Sequence, residues 1–324
     1  NSNYRRNFRL YMDRGLSREL RIDMKILITG SNGLLGQKLV KLLLQKNVPF
    51  VATSSGENRN PDCPSENYLT MDITSKTDVE SVIINQNPDA IIHTAAITNV
   101  DHCEEDKINC HKVNVMGTAF LFEASKKTNA HFQLLSTDFV FDGEKGNYRE
   151  VDMVNPLSVY AQSKVDAERL LQLSNYTNWS IVRTIIVYGT GNNLSRSNIV
   201  LWAREALAKG DPLKIVNDQF RAPTWAEDLA KGCLAIVIKK HFGIFHLSGP
   251  EAYSILDLVK KIAGFYDHPT SNIIPVSSST LNQKAKRPPK TGFDLTKARV
   301  LLDYNPITIE ESLTLLELEL EDKQ

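Results

Sequence analysis

Apolar positions change their period several times along the chain, and each change marks an element. Ile26-Leu27-Ile28 is a short unbroken apolar run, as a strand buried on both faces requires. After glycines at 30, 33 and 36, the residues Leu34, Leu35, Leu39, Val40, Leu42, Leu43 and Leu44 recur at helical spacing. Phe50 to Ala52, Tyr68 to Met71, Ala90 to His93, His131 to Leu135 and Ser180 to Val182 predict further strands. Between them, Thr74 or Ser75 caps a helix carrying Val79, Val82 and Ile83 that stops before Pro88. A loop from Ala95 to Lys107 leads into a long helix near 109–127, and another helix runs over 158–173. Strands alternating with helices this regularly predict a parallel sheet with helices on both faces, a Rossmann-like doubly wound α/β fold.

Beyond Tyr188 the pattern loosens into shorter elements, prolines and loops. Residues 24–188 therefore read as the large domain and 189–324 mostly as a smaller C-terminal α+β lobe. One strand-helix unit over 224–247 is expected to return to the large sheet. Residues 1–23 differ from both, with Arg5, Arg6, Arg9, Arg14, Arg18 and Arg21 and little apolar periodicity. They read as a basic extension outside the core, with Met24 a credible native start. Asp13, Glu19 and Asp23 argue against a transit peptide, and no apolar stretch resembles a secretory signal.

Bulk composition narrows the function classes. Lys plus Arg and Asp plus Glu each number 38, so nothing marks a nucleic-acid or anionic-membrane binder. No apolar run approaches the roughly 20 residues that span a bilayer. Cys63, Cys103, Cys110 and Cys233 lack paired spacing, which suits a reduced, cytoplasmic protein.

The chemistry begins where the first strand ends. Glycines between a strand and a helix let the backbone approach a pyrophosphate, and the helix N-terminus offers it unpaired N–H groups. The spacing is Gly-x-x-Gly-x-x-Gly over 30–36. At the end of the second strand, about 20 residues on, NAD enzymes place a carboxylate on the ribose 2′-OH. Here that region is Thr53-Ser54-Ser55-Gly56, with Arg59 nearby and no carboxylate before Glu57. Hydroxyls and an arginine suit a 2′-phosphate, so NADP(H) is the expected cofactor, with NAD(H) the alternative.

Tyr160 and Lys164 are four residues apart on a predicted helix, hence on one face. A phenol titrates near ~10, so it needs a neighbouring ammonium to stabilise its anion. The pair alone is weak, but it follows Ser136-Thr137 at a strand's carboxyl end, where open α/β sheets build their sites. Two other patterns read as ordinary structure. His102-Cys103 and Cys110-His111 suggest zinc, yet along a helix seven residues separate the sulfurs by roughly 10 Å. Sulfurs bound to one zinc each lie about 2.3 Å from it, so no metal site is expected. The Lys284 to Lys290 run reads as a solvated basic loop.

Taken in order, these motifs resemble the extended short-chain dehydrogenase/reductases. That family carries Thr-Gly-x-x-Gly-x-x-Gly (Thr29 to Gly36), an acidic residue after the third strand (Asp72) and an Ala-Ala turn (Ala95, Ala96). A helix Asn (Asn114), a Ser/Thr (Thr137) and Tyr-x-x-x-Lys follow. The second half is similar to the dTDP-4-dehydrorhamnose reductase branch. The resembling stretches are Ser136 to Gly143, Asp218 to Thr224 with Asp228-Leu-Ala230, Gly243 to Gly249, and Arg287-Pro288 with Asp294.

The resemblance implies hydride transfer from a nicotinamide to C4 of a nucleotide-linked 4-keto-6-deoxy sugar. Tyr160 would protonate the oxygen, Lys164 would lower the pKa of Tyr160 and hold the nicotinamide ribose, and Thr137 would hold the carbonyl. Gly30, Asn32, Gly33, Leu34 and Leu35 would meet the pyrophosphate, with Ser54 and Arg59 at the 2′ position. Asp72 and Ile73 would face the adenine, and Ala95 and Ala96 would pack along the cofactor. On the sugar-nucleotide side the implied residues are Thr98, Asp138, Phe139, Phe220, Arg221, Trp225 and Arg287. Sugar dehydratases follow this threonine with Asp-Glu; Phe139 cannot serve as a base, which disfavours elimination. An epimerase of the same fold stays open, as does a non-catalytic regulator resembling the methionine adenosyltransferase β subunit. Dimerisation is common in the superfamily, which leaves a homodimer as an open expectation.

Overall fold

The computed structural model describes residues 23–322, so the basic extension expected over 1–23 lies outside the described residues except for Asp23. Seven strands form the central sheet: β1 (Ile26–Thr29), β2 (Phe50–Ser54), β3 (Tyr68–Thr70), β4 (Ala90–His93), β5 (His131–Thr137), β6 (Trp179–Thr184) and β7 (Gly243–His246). Their order is β3-β2-β1-β4-β5-β6-β7, and every neighbouring pair is parallel. The helices of the first half are α1 (Leu34–Gln45), α2 (Lys76–Gln86), α3 (Val100–Glu105), α4 (Lys107–His111), α5 (Thr118–Thr128) and α6 (Val159–Gln172). Those of the second are α7 (Ile199–Lys209), α8 (Ala226–Ile238), α9 (Ile255–Phe265), α10 (Thr296–Leu302) and α11 (Ile309–Glu321).

Successive strand residues face opposite sides of a sheet, so one short run feeds two cores. Ile26 and Ile28 pack with Leu39 and Leu43 of α1 and with Leu229 and Ile236 of α8. Leu27 enters the other core with Val79 and Ile83 of α2, Leu121 and Phe122 of α5 and Leu171 of α6. All of these are fully or almost fully buried, and each such side chain stabilises the fold by about 1.5–3 kcal/mol relative to exposure. A third core joins Val200 and Leu207 of α7, Leu258, Val259 and Ile262 of α9, and Leu313 and Leu316 of α11.

Two local readings are corrected. The segment 95–107 is not all loop, since it contains α3, capped by Asn99, whose side chain accepts from His102 N at 3.1 Å. Six residues are too few for a helical period to show. The single long helix expected near 109–127 is α4 and α5 joined by a π-turn at Lys112–Gly117. Such turns change which way side chains face. Asn114 sits in this one, accepting from Ile97 N at 2.8 Å and donating to Ile97 O and Ser163 Oγ, both at 3.0 Å. It thereby ties the loop after β4 to α6.

A buried ionic cluster fastens the crossover helix to the C-terminus. The Lys38 ammonium on α1 pairs with Glu227 of α8 and, at 2.8 Å, with Glu319 of α11. Lys41 and the Thr190 hydroxyl also bond Glu319. Lys38, Glu227 and Glu319 are each at least nine-tenths buried.

Candidate active site

The chain leaves β1 for β2 on one side of the sheet and reaches β4 on the other. Loops after β1 and β4 therefore diverge, which opens a crevice at the carboxyl edge. A cleft of about 560 Å³ lies there. Gly30, Asn32, Gly33, Leu34 and Leu35 line one wall, Ala96 and Thr98 the floor beside it, and Thr137, Asp138, Phe139, Tyr160 and Lys164 the other wall.

Two glycines make the first wall possible. Gly30 adopts φ +69°, and a Cβ there would lie 2.8 Å from both Thr94 Oγ1 and Ala95 N. At Gly36 a Cβ would collide with Gly30 O and approach Ser31 Cα to 2.6 Å, so α1 packs directly on the turn. Gly36→Ala is expected to cost about 1–3 kcal/mol in urea unfolding, because the obstacle is backbone and cannot move aside.

Asn32 organises the mouth of this wall. Its side chain donates to Glu57 O and accepts from Arg59 N, both at 2.8 Å, while its own N–H donates to Ser54 Oγ at 3.2 Å. Ser54 and the exposed Arg59 thus sit beside the glycine turn but outside the cleft itself. A cradle that no side chain could enter, followed by a helix N-terminus, fits a dinucleotide pyrophosphate.

On the opposite wall, α6 carries Tyr160 and Lys164 one turn apart, capped by Ser158, whose hydroxyl accepts from Ala161 N at 3.2 Å. Tyr160 is 8 % exposed and Lys164 4 %, and both face the cleft. Among the described residues the Lys164 ammonium has no hydrogen-bond partner. Burying an unpaired cation is costly, so burial lowers its pKa from 10.5 to about 8, opposed by the Glu168 carboxylate. An ammonium left open at a cleft wall is a ready donor to cofactor hydroxyls.

Tyr160 departs from expectation in one respect. Its pKa goes up, because burial outweighs the nearby Thr137 hydroxyl. The phenol therefore keeps its proton at neutral pH. Thr137 donates to Asp138 Oδ1 at 3.1 Å and accepts from Phe139 N at 3.2 Å. Phe139 stands edge-on to Tyr160, with ring centroids 6.2 Å apart. Burial raises the pKa of Asp138, against the pull of the Arg221 guanidinium 3.7 Å away.

Several expected residues do not reach the cleft. Arg287 is held bidentately by Asp101 of α3, at 2.6 and 3.1 Å. Arg221 is spent on Phe220 O, Pro288 O and Pro289 O, and touches the site only through Asp138 and Phe139. Trp225 is buried in the third core beside Tyr188, and half-buried Phe220 lies under Lys290. Asp72 closes the turn before α2, accepting from Thr74 N and Oγ1 at 2.8 and 2.9 Å. Ile73 is buried in the core against Gly117, and Ala95, just outside the cleft, lies against Gly30. Cys103 and Cys110 also differ from a helical reading. The helix breaks at Asp106 (φ −128°, ψ 75°), and the two thiols come together in one buried cluster with Tyr160. Among the described residues no three His, Cys, Asp or Glu side chains converge on a metal position.

Sequence reasoning missed Ile186, just after β6, and Arg196, both of which line the cleft. Arg196 lies in an exposed loop with no period to read. Ile186 holds φ +28°, a conformation no sequence pattern announces for a β-branched residue.

The pattern of the RmlD substrate binding domain matches residues 24–319, nearly the whole chain. The chain belongs to this family. Within it, a dTDP-4-dehydrorhamnose reductase of Aggregatibacter actinomycetemcomitans is 32 % identical over 305 residues, covering 89 % of this chain and 97 % of that enzyme. The crystal structure of a dTDP-4-dehydrorhamnose reductase from Bacillus anthracis, in complex with NADP, is 26 % identical. Its TM-score is 0.81, with 92 % of this chain and 100 % of that one covered. The chain is also similar to a protein of a different name. The methionine adenosyltransferase 2 subunit beta of Danio rerio is 28 % identical, covering 86 % of this chain and 84 % of that subunit. Among the described residues no helix is long and apolar enough to cross a membrane.

Proposed function

We propose that this chain reduces the 4-keto group of a nucleotide-linked 4-keto-6-deoxy sugar, of the dTDP-4-dehydrorhamnose kind, using NADPH. The single observation carrying this reading is the convergence of Thr137, Tyr160 and Lys164 on a cleft whose other wall is the glycine turn. The cofactor, when bound, supplies the hydride. Thr137 and Tyr160 hold the ketone oxygen by hydrogen bonds, and Tyr160 delivers its proton to that oxygen as the C–O single bond forms. Lys164 stabilises the resulting phenolate and holds the nicotinamide ribose. The glycine turn and Asn32 take the pyrophosphate, Ser54 and Arg59 the 2′-phosphate, and the C-terminal lobe the sugar nucleotide. Four free thiols support a reducing, cytoplasmic setting.

The test follows NADPH absorbance with dTDP-4-keto-6-deoxy sugars. Oxidation of NADPH with alcohol formation is the expected result. Tight NADPH binding with no turnover of any such sugar would favour a regulatory subunit, and sugar conversion without net oxidation an epimerase. Turnover should also depend on pH. Lys164 acts as a cation and its pKa is depressed to about 8, so kcat/KM is expected to fall as pH rises through about 8. A flat profile to pH 10 would remove the ammonium from the mechanism.

A further inference from the structure

Tyr160, Lys164 and Glu168 follow one another at four-residue steps along one face of α6. Glu168 is 2 % exposed and is held from two other elements. Ser136 of β5 donates to its Oε1 at 2.6 Å. Arg183 of β6, also 2 % exposed, donates through Nε to Oε1 at 3.0 Å and through Nη2 to Oε2 at 2.6 Å. Such a bidentate pair is planar and rigid. Its guanidinium rests on the Phe141 ring at 5.1 Å, which fixes it further. None of these groups except Ser136 lines the cleft.

We propose that Glu168 is a positioning residue, locked by Arg183 and Ser136 so that its carboxylate keeps the Lys164 ammonium charged and aimed into the cleft. This rests on the function proposed for Lys164 above. A buried pair of this kind is weak evidence for stability, because desolvation offsets the attraction. Its placement one turn behind an unpaired buried cation gives it a second use. Its negative charge is the larger of the two that favour the Lys164 ammonium, and it acts through space, with no ion pair within 4.0 Å between them among the described residues.

Of the other groups facing Lys164, Cys110 alone acts in the same direction, and more weakly. His93 of β4 bridges Thr29 Oγ1 at 2.7 Å and Thr118 Oγ1 at 3.0 Å, and burial drops its pKa to about 3, so it is neutral. Cys110 of α4, its pKa lowered to about 7, also supports the Lys164 charge but less than Glu168 does, and its sulfur is bonded to Ser163 and Asn114. Tyr160 holds its proton, and Arg183 stands behind Glu168. The bond from Ser136 adds a mechanical link. It joins β5, next to Thr137, to the helix of Tyr160 and Lys164, so the three proposed catalytic groups share one anchor.

The experiment titrates Lys164 directly in the cofactor-free chain by 13C NMR of labelled lysine Cε, with Lys164→Met identifying its signal. That readout needs no substrate, so it stands even if no keto sugar is turned over. The wild-type midpoint is expected near 8, and Glu168→Gln is expected to lower it by about one pH unit. Glu168→Gln leaves Arg183 buried without a counter-charge, so the double variant Glu168→Gln/Arg183→Gln is measured beside it. The double variant also removes the Arg183 cation, so its midpoint should still fall, by less than in Glu168→Gln alone. NADPH affinity in either variant should decline at correspondingly lower pH. An unchanged midpoint in whichever folded variant is obtained would overturn the proposal.

Discussion

Tyr160→Phe is expected to lower kcat by ~10² or more while leaving NADPH affinity within a few-fold of wild type. A positioned general acid contributes about that much, and the substitution removes only the hydroxyl. The ring packs against Cys103, Cys110 and Phe139, contacts that phenylalanine keeps, so the fold should be undisturbed. The direction of the Tyr160 pKa supports the acid role. Burial raises it, and reduction needs a proton that is present at neutral pH and released only as charge develops on the substrate oxygen. Stopped-flow measurement of NADPH oxidation separates the chemical step from binding. A rate unchanged by the substitution would mean that the proton comes from elsewhere, with Asp138 the next candidate by position.

Lys38→Met is expected to destabilise the chain by about 3–5 kcal/mol in urea unfolding at pH 8. Methionine conserves the apolar stem but removes the cation between Glu227 and Glu319. Two carboxylates then face each other in the interior, with Lys41, 34 % exposed, beside Glu319. The deficit should depend on pH, and its sign can be worked out. In the native protein burial already raises the pKa of Glu227 to about 8, and losing Lys38 raises it further. A carboxyl with a folded pKa above its unfolded value near ~4.3 holds protons that the unfolded chain has released. Stability therefore falls as pH rises toward 8 in both proteins, and the extra loss caused by Lys38→Met should grow as pH is raised above about 8, where Glu227 ionises in the wild type but stays protonated in the variant. A deficit that stays constant over this rise would show that packing, not charge, is what Lys38 contributes.

Much of this protein is legible along the chain. The run Ile26-Leu27-Ile28, the glycines that follow and the helical leucines after them specify a strand, a tight turn and a helix. Each depends only on neighbours a few residues away. The same holds for Tyr160 and Lys164, whose shared face follows from helical spacing, and for Glu168, which that spacing also reached but which no motif singled out. Parallel sheet order follows from repeating this unit.

The tertiary structure decided which long polar side chains reach the cleft. Arg287 is implied on the sugar-nucleotide side by the family resemblance, yet Asp101, 186 residues earlier, takes its guanidinium. Arg221 is consumed by backbone carbonyls of the 288–289 segment, whereas Arg196, in an unremarkable loop, faces the proposed catalytic wall. Lys38 finds Glu319 across 281 positions. The direction of the Tyr160 pKa was likewise open until its burial was known. Backbone periodicity and turn chemistry are short-range and so are written locally. The partner of a flexible charged side chain, and the dielectric around a phenol, depend on surfaces that only the folded chain brings together.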